Sequence, residues 1–249
     1  MILAQRNEVI ALKFWEGTEL GDIFPREIEK AIALKLPLAI VKLPRLTVPA
    51  VRRWLEARRL CARVPNDGRE LMGCLVAYRG FGIVFVCGAD APEEQRLTVA
   101  HETGHFLRDY LLPRQQVLAA LGDELLDVLD GRRESTPAER ANAVLAHVRL
   151  GPHVHLLPKE GEAEDCDPKV SAAEERADGL GLELVAPREH ILAIVSGQAH
   201  EKNEDICGLL SKFFGLPLQV FQQFVSQSHE RRRIVSFVED IRPALTGRN

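Results

Sequence analysis

The stretch His101-Glu-Thr-Gly-His105 constrains this chain more than any other part of its sequence. It lies in a helix-like pattern, and residues four apart on a helix are separated by about 40° around the axis and about 6 Å along it. The imidazoles of His101 and His105 can therefore reach one zinc ion from the same face. Glu102 can then act as the general base that activates an attacking water. The alternative is two core histidines with satisfied hydrogen bonds.

The residues around this stretch favour a helix. Asp90 is predicted as the N-cap, Pro92 suits a first turn, and Glu93 and Glu94 favour the positive end of the helix dipole. Gly104 lowers helix propensity by about 1 kcal/mol relative to alanine. A glycine at this position predicts the close approach of another element or of a substrate.

The composition is that of an ordinary globular chain. Its 249 residues are 46% hydrophobic and 27% charged, enough for one large domain or two small ones. The formal net charge of −4 argues against general nucleic-acid binding. A predicted helix at 48–59 carries one basic face, formed by Arg52, Arg53, Arg58 and Arg59. A solvated helix face is favoured over a nucleic-acid surface there.

Cysteine usage and the lengths of the apolar runs bear on the compartment. The five cysteines are widely spaced and include no C-x-x-C pair, which favours a reducing compartment over a zinc ribbon or a disulfide framework. Polar residues at 5–8 interrupt any apolar run at the start. No apolar stretch approaches the roughly 20 residues that a membrane span needs. We therefore expect a cytoplasmic protein without a membrane segment.

Helical and strand patterns together predict an α+β fold, mostly helical with a small β-sheet. Residues 37–44 read as an apolar strand bounded by prolines, and the runs 71–78 and 82–88 as a β-hairpin. We divide the chain into three regions. Residues 1–64 form an N-terminal helical and strand region that packs on the core, residues 65–195 form the core, and residues 196–249 form a C-terminal helical region.

The hairpin leads directly into the helix of His101. An extended peptide can add to an exposed sheet edge through backbone hydrogen bonds, which would place its scissile carbonyl beside the metal. An ordinary covered hairpin is the alternative, because the order of strands in the sheet decides which strand is exposed.

A catalytic zinc site needs a third protein ligand besides two histidines. Asp109 lies one turn beyond His105, too far along a straight helix to share the ion, and is a candidate to hold a histidine ring in place. Glu174 and Asp178 lie four apart on a helix predicted over 172–185, with Ser171 as its N-cap. Glu174 can bind zinc while Asp178 orients one of the histidines. A solvated acidic helix face is the alternative.

Two further histidines lie between these segments. His153 and His155 alternate with Val154 as in a strand, so both side chains can point the same way. They are conceivable metal ligands or substrate contacts, but an ordinary polar face is favoured. The acidic segment 159–169 that follows is predicted as a surface loop, which could cover a cleft until a partner displaces it.

Two segments of the chain resemble the ImmA/IrrE family of metallopeptidases. The run Arg96-Leu-Thr-Val-Ala-His-Glu-Thr-Gly-His-Phe-Leu107 is similar to the family's RF-T-x-AHE-x-GH segment, and 174–191 is similar to its E-x-x-A-[DN]-x-F-A-A-x-L-L-M-P segment. Both stand in the family's order, and with the hairpin they cover roughly residues 70–195. The second segment departs at 180–182, where Leu-Gly-Leu replaces Phe-Ala-Ala, and at 185–186, where Val-Ala replaces Leu-Met.

The resemblance implies a zincin-like metallopeptidase whose active-site helix carries the H-E-x-x-H stretch. It implies His101, His105 and Glu174 as zinc ligands and Glu102 as the general base, with Glu175 as a register alternative to Glu174. Members of the family are cytoplasmic regulators in bacteria and their mobile elements. The resemblance therefore implies cleavage of a helix-turn-helix transcriptional repressor, often encoded nearby, in a regulatory or stress response.

Three hypotheses on function remain from the sequence. The first is a zinc endopeptidase with one or few protein substrates and no direct contact with nucleic acid or membrane. The second is a regulatory protein-binding module whose metal site is idle or structural, a role that does not require Glu102. The third is another metal-dependent hydrolase, such as an amidase, that uses the same residues.

Overall fold

The computed structural model of the chain describes residues 2–225 except 61, 63, 146, 147, 149, 160–166, 199–201 and 223. The chain forms two compact units, Met1–Pro187 and Arg188–Asn249. The predicted division after residues 64 and 195 stays a prediction. The elements of the first unit are α1 (Ile2–Trp15), α2 (Ile28–Lys35), β1 (Leu38–Leu43), α3 (Val48–Ala57), β2 (Leu71–Tyr78), β3 (Phe81–Cys87), α4 (Pro92–His105), α5 (Leu112–Leu121), α6 (Leu126–Leu129), α7 (Pro137–Leu145), β4 (His153–Pro158) and α8 (Pro168–Val185).

The predicted mixture of helices and a small sheet is confirmed. The four strands form one sheet in the order β1-β3-β2-β4. β2 and β3 form the predicted hairpin, turning through Arg79 and Gly80, which both have positive φ. β1 runs parallel to β3, and β4 pairs antiparallel with β2.

This strand order corrects the idea that the hairpin offers an exposed edge. Both hairpin strands are internal, because β1 covers β3 and β4 covers β2. Among the described residues, β4 has a paired neighbour on one side only. Since β4 comes from a distant part of the chain, the local hairpin signal could not reveal that it covers β2.

One face of the sheet packs against α3. Thr47 caps this helix by accepting a hydrogen bond from the Ala50 backbone N–H at 3.2 Å. The packed side chains are apolar throughout, and the fully buried ring of Phe85 meets Trp54 edge-on with their centroids 5.1 Å apart. The outward face of α3 is basic as predicted, but Arg52 lies against Glu56 and Asn66, and Arg58 stacks on Trp54.

The opposite face of the sheet packs against α4. Its N-cap is Ala91, which makes no side-chain capping bond, so the predicted cap at Asp90 is wrong. Asp90 instead accepts a hydrogen bond from Lys159 at 2.7 Å, which joins the end of β4 to the start of α4. Beyond His105 the helix continues as a π-helix, Phe106–Leu111, and then as α5.

α8 lies along α4 and begins earlier than predicted. Its N-cap is Asp167, which accepts a hydrogen bond from the Lys169 backbone N–H at 2.9 Å, and not Ser171. An Asp-Pro pair is itself a strong helix start, since proline suits the first turn. The far end of α8 is held by Trp15 and Arg26, which both donate to the Leu184 carbonyl.

The rest of the chain is helical where it is described. The spacing of apolar residues also predicts one helix over 115–129, but the chain leaves the helical region at Gly122, whose φ is 87°, and a 3₁₀ turn follows. The second unit contains α9 (Arg188–Gly197) and α10 (Asn203–Phe214), and Gly215 ends α10 in the left-handed conformation. The sequence also predicts a charged tail that begins at about residue 230, and this tail lies outside the described residues. None of the described helices combines the length and the apolar composition that a membrane span requires.

Candidate metal centre

Four side chains from three elements converge between the sheet and α8. α4 contributes His101 and His105, β4 contributes His155, and α8 contributes Glu174. One ligand atom from each lies within 4.8 Å of the corresponding atom of every other, so the group could hold a metal ion. His101 and His105 are buried, and the side chain of Glu174 is 29% exposed, which leaves the group open on one side.

Glu174 is spaced from both histidines of α4 as one zinc ligand is from another. Glu174 Oε2 lies 3.4 Å from His101 Nε2 and 3.3 Å from His105 Nε2. Ligand atoms at about 2.0–2.1 Å from a tetrahedral zinc ion are about 3.3–3.4 Å apart, so the observed spacing matches that coordination. His101 Nε2 is fully buried and makes no hydrogen bond within the described chain. A buried nitrogen without a partner is costly in a protein interior, and a metal ion would satisfy it.

In both histidines of α4, a carboxylate is hydrogen-bonded to Nδ1, the ring nitrogen that faces away from the centre. Asp178 Oδ1 lies 2.7 Å from His101 Nδ1, and Asp109 Oδ2 lies 2.7 Å from His105 Nδ1. A carboxylate that accepts a hydrogen bond from Nδ1–H leaves the Nε2 lone pair facing the centre and fixes the plane of the ring. Asp178 reaches His101 from α8, one turn beyond Glu174, whereas Asp109 reaches His105 from the π-helical turn that follows it.

Glu102 is the most deeply buried acid of the site. It is fully inaccessible to solvent, and its Oε2 lies 2.9 Å from His155 Nδ1. Its second oxygen, Oε1, has no hydrogen-bond partner within the described chain. Glu102 therefore has an acceptor oxygen that the described residues do not use.

His155 belongs to the cluster, so the preferred interpretation of it as part of an ordinary polar face is wrong. It lies on the α4 side of β4, with Nε2 3.1 Å from Glu174 Oε1 and its ring stacked on His105 at 3.8 Å between centroids. Its neighbour Val154 packs on the α3 side. His153 is also buried but lies outside the cluster, and its ring stacks against Tyr110 at 6.4 Å. The alternation of the two histidines was the available signal, but it did not show which face would meet α4.

Glycines allow the elements of the site to approach closely. A Cβ on Gly104 would lie 2.5 Å from the Ala177 backbone oxygen, and one on Gly181 would lie 2.8 Å from that of Ala100. The close approach predicted at Gly104 is confirmed, and the approaching element is α8. On the sheet, a Cβ at Gly73 would lie 2.5 Å from Glu102 Oε1, so the missing side chain makes room for that carboxylate.

The charges of the cluster are strongly coupled. Burial would lower the pKa of His101, but the nearby carboxylates of Asp178 and Glu174 raise it to about 9. Burial also opposes the charged form of His155, yet Glu102 and Glu174 raise its pKa to about 10. Burial would raise the pKa of Glu174, but the neighbouring rings of His101, His105 and His155 hold it far below the ordinary value. The carboxylates thus create a site that favours cations, and a metal ion would displace protons from it.

The structure brings together His101, Glu102, His105, Glu174 and the two flanking aspartates. The register alternative, Glu175, points outward and is exposed. The acidic segment predicted as a cover lies largely outside the described residues, at 160–166. No protein-family model matches the chain, and no curated protein matches it either. The site itself therefore carries the functional argument.

Proposed function

We propose that this protein is a zinc-dependent endopeptidase of the ImmA/IrrE type with a zincin-like core. One observation carries the proposal. The fully buried Glu102 lies beside His101 and His105, and Glu174 Oε2 lies from the Nε2 atoms of both at the distances expected between zinc ligands. The similarity of the 96–107 and 174–191 segments to that family supports the same conclusion. Free cysteines at Cys74, Cys87 and Cys207 agree with a reducing compartment such as the cytoplasm.

In this proposal His101, His105 and Glu174 hold the zinc ion. When bound, zinc supplies a Lewis acid that polarises a carbonyl and makes water more acidic. Glu102 accepts the proton of the attacking water and passes it to the leaving nitrogen. Asp178 and Asp109 hold the two imidazole rings in the orientation and tautomer that the ligands need.

The geometry also suggests how a peptide is held. β4 is hydrogen-bonded to β2 alone within the described chain, and its residue His155 lies in the cluster. An extended peptide that adds to the free side of β4 would run past the metal centre, with its backbone hydrogen-bonded to the strand. An extended loop or linker of a folded protein can bind in this way, whereas a buried helix cannot.

We infer that the substrate is a helix-turn-helix transcriptional repressor encoded near this chain, with cleavage at one or a few bonds. An endopeptidase that acts among a cell's own proteins needs selectivity, and a requirement for an extended segment beside a docking site supplies it. Nothing in this role requires direct contact with nucleic acid. The basic face of α3, where Arg52 and Arg58 already have partners, agrees with that.

Co-expression with the neighbouring helix-turn-helix protein tests the proposal. Wild type should shorten that protein to one or a few discrete products by intact mass, and Glu102→Gln should leave it whole, because an amide cannot accept the water's proton. Chelation should stop cleavage in vitro, and denatured casein should be cut slowly or not at all. An uncut partner that binds both forms tightly would establish the regulatory binding module instead. Rapid digestion of casein would contradict the proposed selectivity.

A further inference from the structure

His155 occupies an unusual position between two acids with different roles in the proposed function. Its Nδ1 lies 2.9 Å from Glu102 Oε2, and its Nε2 lies 3.1 Å from Glu174 Oε1. One ring thus joins the general base on α4 to the third metal ligand on α8, although the ring itself comes from β4. Both ring nitrogens are engaged by carboxylates.

The oxygens of Glu174 divide between two sets of partners. Oε2 faces His101 Nε2 and His105 Nε2 at 3.4 and 3.3 Å, whereas Oε1 faces His155. His155 therefore meets the oxygen on the other side of the carboxylate from the two α4 histidines. This arrangement favours His155 as a residue that orients the ligand Glu174. A fourth protein ligand would instead close the site to water.

The side chains of Glu102 and Glu174 are each held in position by a contact with His155. Within the described residues, Glu102 has one hydrogen-bonded oxygen, the one that faces His155, and Glu174 Oε1 is held by the same ring. Two carboxylates on either side of one imidazole ring repel each other, and a donor between them offsets that repulsion. The strand pairing of His155 with Leu75 and the stacking of its ring on His105 fix that donor rigidly.

We propose that His155 is a positioning residue that holds Glu102 and Glu174 together, so that the general base and the metal ligand are set by one side chain. The inference rests on the proposed function for the role of Glu102, while its metal half can be tested without a substrate.

Two substitutions separate the two contacts. The amide nitrogen of asparagine ends near the position of Nδ1, and that of glutamine near the position of Nε2, so each keeps one donor and loses the other. His155→Asn should keep Glu102 in place but lower zinc affinity by about 10- to 100-fold, through loss of the Glu174 contact. His155→Gln should keep zinc affinity close to that of wild type but lower kcat by about 10- to 100-fold at full zinc loading, with KM little changed.

Zinc affinity is measured by competition with a chromophoric chelator, and kcat on the neighbouring helix-turn-helix protein. His153→Asn and His153→Gln are the matched controls, since His153 lies on the same strand and outside the cluster. Cobalt(II) absorption of the substituted proteins reports the ligand set directly. The spectrum should be the same in wild type, His155→Asn and His155→Gln, because none of the metal ligands has changed.

Other results would overturn the inference. Equal loss of zinc in both His155 variants, with an altered cobalt(II) spectrum, would make His155 a fourth ligand. Zinc affinity and kcat unchanged in both variants would remove any role in the site. A wild type that binds zinc but cleaves nothing would count against the proposed function alone. The zinc affinities then test the Glu174 contact, and a shift of the His155 ring ¹⁵N resonances on Glu102→Gln tests the Glu102 contact.

Discussion

The two faces of the sheet contrast sharply in what they bury. The α3 face packs apolar side chains such as Val76 and Phe85 on one another. The α4 face contains glycines at positions 73 and 82 and receives the buried groups His101, Glu102 and His105. Burial of apolar area stabilises a fold by itself, whereas burial of ionisable groups is costly unless they are paired or bind a metal. The contrast teaches that one face of the sheet provides stability, whereas the other holds a group of side chains that could bind a metal ion.

The largest expected effect tests the face that provides stability. Phe85→Ala removes a fully buried ring and should lower the free energy of unfolding by about 3–5 kcal/mol, measured by chemical denaturation. Zinc bound per folded chain should not change, because Phe85 points away from α4. Phe85→Leu, which keeps most of the volume, should cost far less. Loss of zinc from folded Phe85→Leu protein would show that the two faces are not independent.

The next effect tests the contact between α4 and α8. Gly104→Ala places a methyl group 2.5 Å from a backbone oxygen that cannot move without separating the helices. It should lower the free energy of unfolding by about 1–3 kcal/mol and also weaken zinc binding, since Glu174 is carried by the displaced helix. Gly208→Ala on α10 is the matched control, because its Cβ would meet nothing within 4 Å. That control should be neutral or stabilising by up to about 1 kcal/mol. A Gly104→Ala protein as stable and as zinc-bound as wild type would contradict the close packing.

A third substitution separates catalysis from stability on the α4 face. In Gly73→Ala the new methyl group would lie 2.5 Å from Glu102 Oε1, and the carboxylate, as the flexible partner, must shift. Displacement of Glu102, the proposed general base, should lower kcat by about 100-fold, while zinc content stays at the wild-type value. Gly68→Ala, with open space around its Cβ, should keep full activity. If Gly73→Ala kept the wild-type kcat, the position of Glu102 seen here would not be the one that the proposed catalysis requires.

The smallest effects concern the outer partners of the ligands. Asp178→Ala removes the hydrogen bond to His101 and should weaken zinc binding by about 10- to 100-fold, as measured by chelator competition. Glu175→Ala, one residue from Glu174 but exposed, should leave zinc binding unchanged. If Glu175→Ala weakened binding more than Asp178→Ala, the register of α8 would be wrong.

Local spacing is what made much of the site predictable from the sequence. The separations of His101 from His105 and of Glu174 from Asp178 are both four residues, so helical geometry alone places each pair on one face. His155 could not be found in this way, because its place depends on β4 pairing with β2 across a long stretch of chain. For the same reason, the sequence could not show that β4 covers the β2 edge of the hairpin. The cap at Asp167 was missed for a different reason, since Ser171 offered a competing start for the same helix.

Zinc content of the purified protein tests the central claim most directly. Metal-free wild type supplied with zinc at neutral pH should bind close to one ion per chain, with ligands at about 2.0–2.1 Å by X-ray absorption. Glu102→Gln should bind the same amount, and His101→Ala or His105→Ala should bind almost none. Wild-type protein that remains without zinc, or the same zinc content in all four proteins, would contradict a metal centre at His101, His105 and Glu174.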